Sequence, residues 1–282
     1  MSAPVDRKSG TLYVVATPIG NLDDASARSI EVLRGADILA CEDTRVTRTL
    51  LSRHGIDARP VALHEHNERV VAAKLIAALR EGKSVALVSD AGTPTLSDPG
   101  AALVAQAHSA GIAVSPIPGP SAAAAAFSAS GFACERFLFV GFLPSAPAAR
   151  RKALEALDLP WPLILYEAPH RIAETLADLA ARFGPEREIV IARELTKKFE
   201  EVVRLPLARA QTWLAAERHR SQGEFALVLA PGEPKAKEAL DPERVLEVLL
   251  ESLPPSEAAR LAARITGGSK NALYRKALER SK

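Results

Sequence analysis

The sequence predicts an α/β protein of two lobes followed by a small helical tail. Three observations predict it. Short apolar, β-rich runs alternate with helical patterns from residue 11 to residue 230. Repeated strand–loop–helix units of this length argue for an open, mostly parallel sheet. The composition then breaks twice. An aromatic-rich stretch, RFLFVGFLP at 136–144, runs into a Pro/Ala linker, and a Pro-, Gly- and charge-rich segment, PGEPKAKEALDPE, fills 231–243. These breaks set the expected boundaries at 1–130, 131–235 and 240–282.

In the first lobe TLYVVA (11–16) is a strand that runs into the loop TPIGNL (17–22). ADILACED (36–43) is a second strand, and TRVTRTLLSRHG (44–55) is a helix ending at a glycine. PVAL, the helix NERVVAAKLIAALREG and the buried-looking strand SVALVSD follow. The long loop AGTPTLSDPG precedes the helix AALVAQAHSAG, and IAVSPI leads through PGPSA into an alanine-rich helix. The second lobe begins after RFLFVGFLP with WPLILYE, the helix HRIAETLADLAARFG and EIVIARE. FEEVVRLP stands so close behind EIVIARE that antiparallel pairing is expected, which makes this a mixed sheet. The helix LARAQTWLAAERH and the strand EFALVLA complete it.

In the tail, PPSEAARLAARITGGSKNALYRKALER predicts a helix, a Gly267-Gly268 turn and a second helix. Ser256 and Ser269 are the expected caps. Leu261, Ala262 and Ile265 on one helix, with Leu273, Tyr274 and Leu278 on the other, are the expected inward faces. The pattern matches a helix-turn-helix, and a hairpin that only docks on a core reads similarly.

The 282 residues are 48% hydrophobic and 25% charged, the balance of a soluble protein with a sizeable core. No apolar run approaches the ~20 residues that cross a bilayer, and MSAPVDRKSG lacks the apolar region of a signal peptide. Cys41 and Cys134 can neither staple a secreted fold nor alone make a zinc site. A cytoplasmic location without membrane contact is expected. Net charge is +2, but residues 254–282 carry seven basic side chains against Glu257 and Glu279, so the remainder sums to −3. A basic tail on a mildly acidic body suggests a polyanion contact, and a solvated helix face reads the same on charge alone.

The usual nucleotide fingerprints fail. No GxGxxG follows a strand, and Gly82-Lys83-Ser84 lacks the Walker glycine, since Ala77 stands five places before it. Three Gly/Pro loops instead lie just beyond strand C-terminal ends, at 17–22, 89–100 and 116–122, where open α/β sheets bind ligands. Asp90 and Asp98 can accept hydrogen bonds from an amino or hydroxyl group, and Ser121 can cap its helix or touch a ligand. CEDTRVTR puts Glu42, Asp43 and Arg45 at the same sheet edge, and HEHNE puts His64, Glu65, His66, Asn67 and Glu68 there. A metal would need further ligands that nothing in the sequence identifies, so polar substrate contact or capping is expected. In YEAPHRI, His170 and Arg171 fall in the first turn of a helix, against its dipole, which hints at an anionic partner.

TPIGNLDD, ACEDTR, HEHNE, SDAGTPTLSDPG, PIPGPSA, FVGFLP, YEAPHR and RELTKKFEE, in this order, resemble the tetrapyrrole-methylase superfamily, and within it the branch that modifies ribosomal RNA. The resemblance covers about residues 10–282. It implies two α/β lobes with S-adenosylmethionine between them, usually in a homodimer. The implied reaction methylates the ribose 2′-oxygen of a decoding-centre cytidine in 16S rRNA, within the small ribosomal subunit, without a metal. It implies cofactor contacts from Pro18, from Asp90, Ala91, Gly92, Thr93 and Pro94, and from Pro120, Ser121 and Ala122. Leu143, Tyr166, Glu224 and Phe225 would add contacts from the second lobe. SDAGTP replaces the Gly-Asp-Pro of the tetrapyrrole enzymes, in agreement with the RNA branch.

A 2′-hydroxyl must lose its proton to act as a nucleophile, so a base or cation is required. Asp43, Arg45, Lys197 and Glu167 are the catalytic candidates. Glu42, His64, Asn67, His170 and Arg171 are candidates for substrate contact, joined by Arg260, Arg264, Lys270, Arg275 and Lys276 on phosphates. The rival readings are a methylase of a tetrapyrrole or protein acceptor, and a non-catalytic nucleic-acid-binding protein.

Overall fold

The computed structural model describes residues 10–64, 66–232 and 241–280, which form two compact units that divide after Pro231. The first unit holds two five-stranded sheets. One is built from β1 (Thr11–Val15), β2 (Ile38–Cys41), β3 (Val61–Ala62), β4 (Val85–Val88) and β5 (Ala113–Ile117). Its order is β3-β2-β4-β1-β5 and every pairing is parallel. All strand C-termini therefore point to one edge, and the three Gly/Pro loops leave from that edge.

The crossovers are α1 (Ala27–Gly35), α2 (Thr44–Arg53), α3 (Glu68–Arg80) and α4 (Ala101–Ser109). Strand alternation sorts the apolar side chains between the two faces. Val85 and Leu87 of β4 join Leu75, Leu79 and Leu103 on one side. Ala86 and Val88 join Leu33, Leu50 and Leu51 on the other. Ser26 caps α1 through Ser29 N–H at 3.0 Å. Glu68 caps α4 by accepting from Gly100 N–H and Ala102 N–H.

The second sheet comprises β6 (Leu138–Phe142), β7 (Leu163–Glu167), β8 (Glu188–Arg193), β9 (Glu201–Pro206) and β10 (Phe225–Leu229), in the order β6-β7-β10-β8-β9. Only β6 and β7 pair in parallel. The antiparallel β8–β9 pair expected from the sequence is present. One face packs on α6 (Pro147–Glu155), α7 (Ile172–Phe183) and α8 (Leu207–Ala216), through residues such as Leu154, Leu176 and Leu214. The other face packs on α5 (Ala122–Ser128), the helix that ends the first lobe. Ala123 and Ala126 lie against Ile164, Val190, Ala226 and Val228. An alanine-rich helix suits this place, because only small side chains let it lie close to a sheet.

The second unit is α9 (Pro242–Leu250), α10 (Pro255–Thr266) and α11 (Lys270–Arg280). Its seam differs from the expected one. Ala258, Ala259 and Ala262 pack against Leu246, Leu273 and Ala277. Ile265, Tyr274 and Leu278 are exposed. Ala262 and Leu273 face inward as expected, while a stripe of alanines on α10 allows close helix contact and leaves Ile265 on its outer side. α10 also begins one residue before Ser256, after Pro254, so that serine lies within the first turn and is not the cap.

Leu227 lies wholly buried at the centre of β10, between β7 and β8. Leu227→Ala leaves a cavity there and is expected to lower unfolding free energy by about 2–5 kcal/mol in a urea titration.

Candidate active site

The loop at residues 89–100 is the hub of the first lobe's edge. Thr17 N–H donates to Gly92 O at 2.8 Å and Gly92 N–H returns to Thr17 O at 3.0 Å, which locks the first loop to the second. The Thr17 hydroxyl adds a bond to Ser89 O at 3.2 Å. Thr93 Oγ1 donates to Pro120 O at 3.1 Å and ties in the third loop. Asp43 N–H donates to Asp90 Oδ1 at 2.8 Å and ties in the end of β2. The loop pays in backbone strain, since Thr95 and Ser97 have φ of 73° and 68°. Non-glycine residues seldom adopt such angles, and where they do the surroundings hold them there.

The second lobe meets this edge at close range. Gly20 lies so near the β8–β9 connection that a Cβ there would stand 2.5 Å from Lys197 Cγ and 2.9 Å from Leu195 O. Gly141 has φ of +70° at a register shift in β6. A Cβ on it would stand 2.8 Å from Ser97 Oγ. The shift breaks the strand's alternation, so Gly141 is buried and Phe142 is exposed. Phe142 contacts the Tyr166 ring edge to face at 5.7 Å between centroids. The Tyr166 hydroxyl accepts from Ala123 N–H at 3.0 Å, which fixes the ring against α5.

Between the two edges lies a cavity of about 430 Å³. Of the residues nominated from sequence, Asp90, Ala91, Gly92, Thr93, Ser121, Ala122, Tyr166, Glu167, Glu224 and Phe225 line it. Pro18, Pro94, Pro120 and Leu143 belong to the same loops without forming its wall. Asp98, singled out from the sequence as a possible hydrogen-bond acceptor, lines it too, and so do Ile19, Leu96, Phe142, Ala192, Leu195 and Ala226, which the sequence did not single out. The composition of the wall is one-sided. Among the described residues it has four carboxylates, Asp90, Asp98, Glu167 and Glu224, and no lysine, arginine or histidine.

Three of those carboxylates have firm partners. Glu167 is buried and accepts from Thr175 Oγ1 at 2.6 Å and from Ala168 N–H at 2.9 Å, and Arg171 Nε lies 3.2 Å from it. Arg171 also donates to Leu143 O at 2.7 Å and Pro144 O at 3.2 Å. Glu167 and Arg171 thus brace the turn after β6. Because α7 starts at Ile172, His170 and Arg171 precede it and do not occupy its first turn as expected. The Arg171 charge is met by Glu167. Glu224 pairs with Lys197 at 3.0 Å, and Lys197 also binds Glu194 at 2.8 Å. Asp90 holds the end of β2, as above.

Around the rim, Asp43 caps α2 through Arg45 N–H at 2.8 Å and pairs with the Arg45 guanidinium at 2.5 Å. That pairing holds the Asp43 carboxyl down at about 2. The Arg45 side chain remains 84% exposed. Burial, with help from Asp90 and Asp43, pushes the Glu42 carboxyl up. Asn67 holds the turn after β3, accepting from His64 N–H at 2.9 Å and donating to Ala62 O at 3.1 Å. Glu65 lies outside the described residues. In the second unit Arg260, Arg264, Lys270, Arg275 and Lys276 are all exposed, with Arg260 paired to Glu257 and Lys276 to Glu243.

Residues 11–211 match the family described as Tetrapyrrole (Corrin/Porphyrin) Methylases, and residues 236–281 match the RsmI C-terminal HTH domain. The chain is 50% identical to ribosomal RNA small subunit methyltransferase I of Pseudomonas aeruginosa, over 96% of this chain and 98% of that protein. It is 47% identical to the protein of the same name from Escherichia coli O157:H7, over 97% and 96%. Among solved structures the fold resembles uroporphyrin-III-C-methyltransferase from Thermus thermophilus, with TM-score 0.55 and 22% identity over 78% of this chain and 94% of that one. It also resembles diphthine synthase, with TM-score 0.59 and 19% identity over 79% and 90%. The chain belongs to the tetrapyrrole methylase family, in the branch of the small-subunit ribosomal RNA methyltransferases I.

Proposed function

We propose that the chain methylates small-subunit ribosomal RNA with S-adenosylmethionine, at the ribose 2′-oxygen of a decoding-centre cytidine. The observation that carries the cofactor part is the wall of the cavity, whose four carboxylates include two, Asp90 and Asp98, with no cation paired to them among the described residues. A sulfonium with an ammonium group is a ligand that such a wall attracts. Apolar residues such as Ile19, Leu195 and Phe225 supply surface for an adenine and ribose. When bound, the donor supplies a methyl group on positively charged sulfur, open to in-line displacement.

Residues of this chain then have separable tasks. Gly92, Thr93, Ser121 and Ala122 present loop backbone and small side chains, and Asp90 presents a carboxylate. Tyr166, held by Ala123 N–H, keeps the floor rigid. Asp43 and Lys197 have their charges met by neighbours, so they position the loops that carry Arg45 and Glu224. Exposed Arg45 faces phosphate or substrate. The five cations of the second unit add phosphate contacts whose strength depends on salt. Holding donor and acceptor in line accounts for much of such a transfer, because fixed geometry replaces a bimolecular encounter.

The reading of the acceptor rests on the full-length likeness to proteins named for that substrate and on the basic tail. A small tetrapyrrole acceptor has no use for such a tail. The deciding experiment is labelled methyl transfer to unmodified small ribosomal subunits, followed by nucleoside digestion. 2′-O-methylcytidine is expected, and label only in protein or small molecules would overturn the acceptor reading.

Two further outcomes are expected. Ala122→Leu fills the cavity at the start of α5 and should weaken S-adenosylmethionine binding about 5- to 150-fold in calorimetry, through overpacking of about 1–3 kcal/mol. Replacing Arg260, Arg264, Lys270 and Arg275 together by alanine should lower the slope of log affinity for ribosomal RNA against log salt by about 3, at ~0.7–0.9 per phosphate contact. Cofactor affinity should stay unchanged.

A further inference from the structure

We infer that Asp98 is the general base that takes the proton from the acceptor hydroxyl. This deepens the proposed function and rests on it.

The argument starts from the four carboxylates of the cavity wall. Glu167 is occupied by Thr175, Ala168 N–H and Arg171. Glu224 is paired with Lys197, and Asp90 accepts the N–H of Asp43. Glu167 and Glu224 are each committed to a cation, and Asp90 has one oxygen engaged by backbone. Asp98 differs, for its neighbours are the Ser89 hydroxyl and the acidic groups Glu42 and Asp90, and no cation is paired with it among the described residues. Tyr166 of β7 lines the same cavity from the other lobe. Its place is set by backbone: Ser97, at φ of 68°, precedes it, and the Gly141 position touches Ser97 from the other lobe. A carboxylate held at the seam of two lobes, without a counter-ion, is open to accept a proton.

The charge environment agrees with that task. Burial, followed by the charge of Glu42, pushes the Asp98 carboxyl up to about 6. The group is ionised at neutral pH, yet it is a stronger base than an ordinary aspartate. In the step itself the acceptor O–H bond gives its proton to Asp98, and the oxygen forms a bond to the methyl carbon. The carbon–sulfur bond breaks with its electron pair left on sulfur. The Asp98 proton then leaves to water, and one proton is released per methyl transferred.

The test is the pH dependence of methyl transfer to unmodified small ribosomal subunits, beside calorimetric binding of S-adenosylhomocysteine. For the natural chain, kcat/KM should fall about tenfold per pH unit below ~6, where Asp98 is protonated. Asp98→Asn should lower kcat about 10²–10⁴-fold and abolish the acidic limb, with S-adenosylhomocysteine affinity retained. Glu42→Gln removes a neighbouring negative charge and should move the limb to lower pH. That shift decides the matter even if Asp98→Asn misfolds. An Asp98→Asn protein that keeps the natural kcat and limb, or a Glu42→Gln protein whose limb does not move, overturns the assignment of Asp98 alone. A natural chain that binds S-adenosylhomocysteine but modifies no ribosomal RNA overturns the proposed acceptor, and this inference with it.

Discussion

The site depends on one small piece of backbone pairing, the reciprocal bonds between Thr17 and Gly92. They fasten the loop after β1 to the loop after β4 across the C-terminal edge of the parallel sheet. The second loop then carries most of the near wall of the cavity, from Asp90 to Asp98, and is tied to the third loop through Thr93 and to the end of β2 through Asp90. A loop of that length has too few contacts of its own to hold one shape. Cross-bonding to two neighbours gives it one, and rigid sheet ends supply the fixed points.

The far wall is positioned by different means. Its sheet is mixed, and its strands do not end at one edge as those of the first sheet do. The wall is set instead by packing: α5 of the first lobe lies on the second sheet, and Tyr166 reaches back to the first turn of that helix. Glu167 and Arg171 stiffen the turn after β6, so Phe142 and Leu143 stay in place. The two lobes are thus coupled through alanine–strand packing and glycine contacts, both of which tolerate little added volume.

The outline of the fold was legible because strands, helices and Gly/Pro loops are written locally. Alternation, length and turn chemistry carry that information, and even the antiparallel β8–β9 pair followed from the shortness of one connection. The three loops were legible as a site because they recur at strand ends. Asp98 was harder, since its character comes from burial and from Glu42 and Asp90, which follow two different strands. Its sequence neighbourhood, Ser-Asp-Pro-Gly, reads equally well as a helix cap. Glu167 and Lys197 were catalytic candidates in sequence, and the structure adds partners from later elements, Thr175 and Glu224, to the nearby Arg171 and Glu194. In the tail, hydrophobicity singled out Ile265, Tyr274 and Leu278, whereas close helix approach favoured alanines. Leu246 and Leu273 are buried beside those alanines, so the geometry of approach, and not apolarity alone, decided which residues face inward.

The all-acid wall has one more consequence, in the conservation of charge within a confined space. Methyl transfer turns a sulfonium into a neutral thioether, so the ligand loses one positive charge at the moment of reaction. If nothing else changed, the cavity would be left with Asp98 as a carboxylate offset neither by the ligand nor by a paired cation among the described residues. A proton arriving on Asp98 removes one negative charge in the same step. The enclosed total is the same before and after, and reorganisation of distant solvent is kept small. Release of that proton then restores a wall that attracts the next cationic donor and holds the neutral product less firmly.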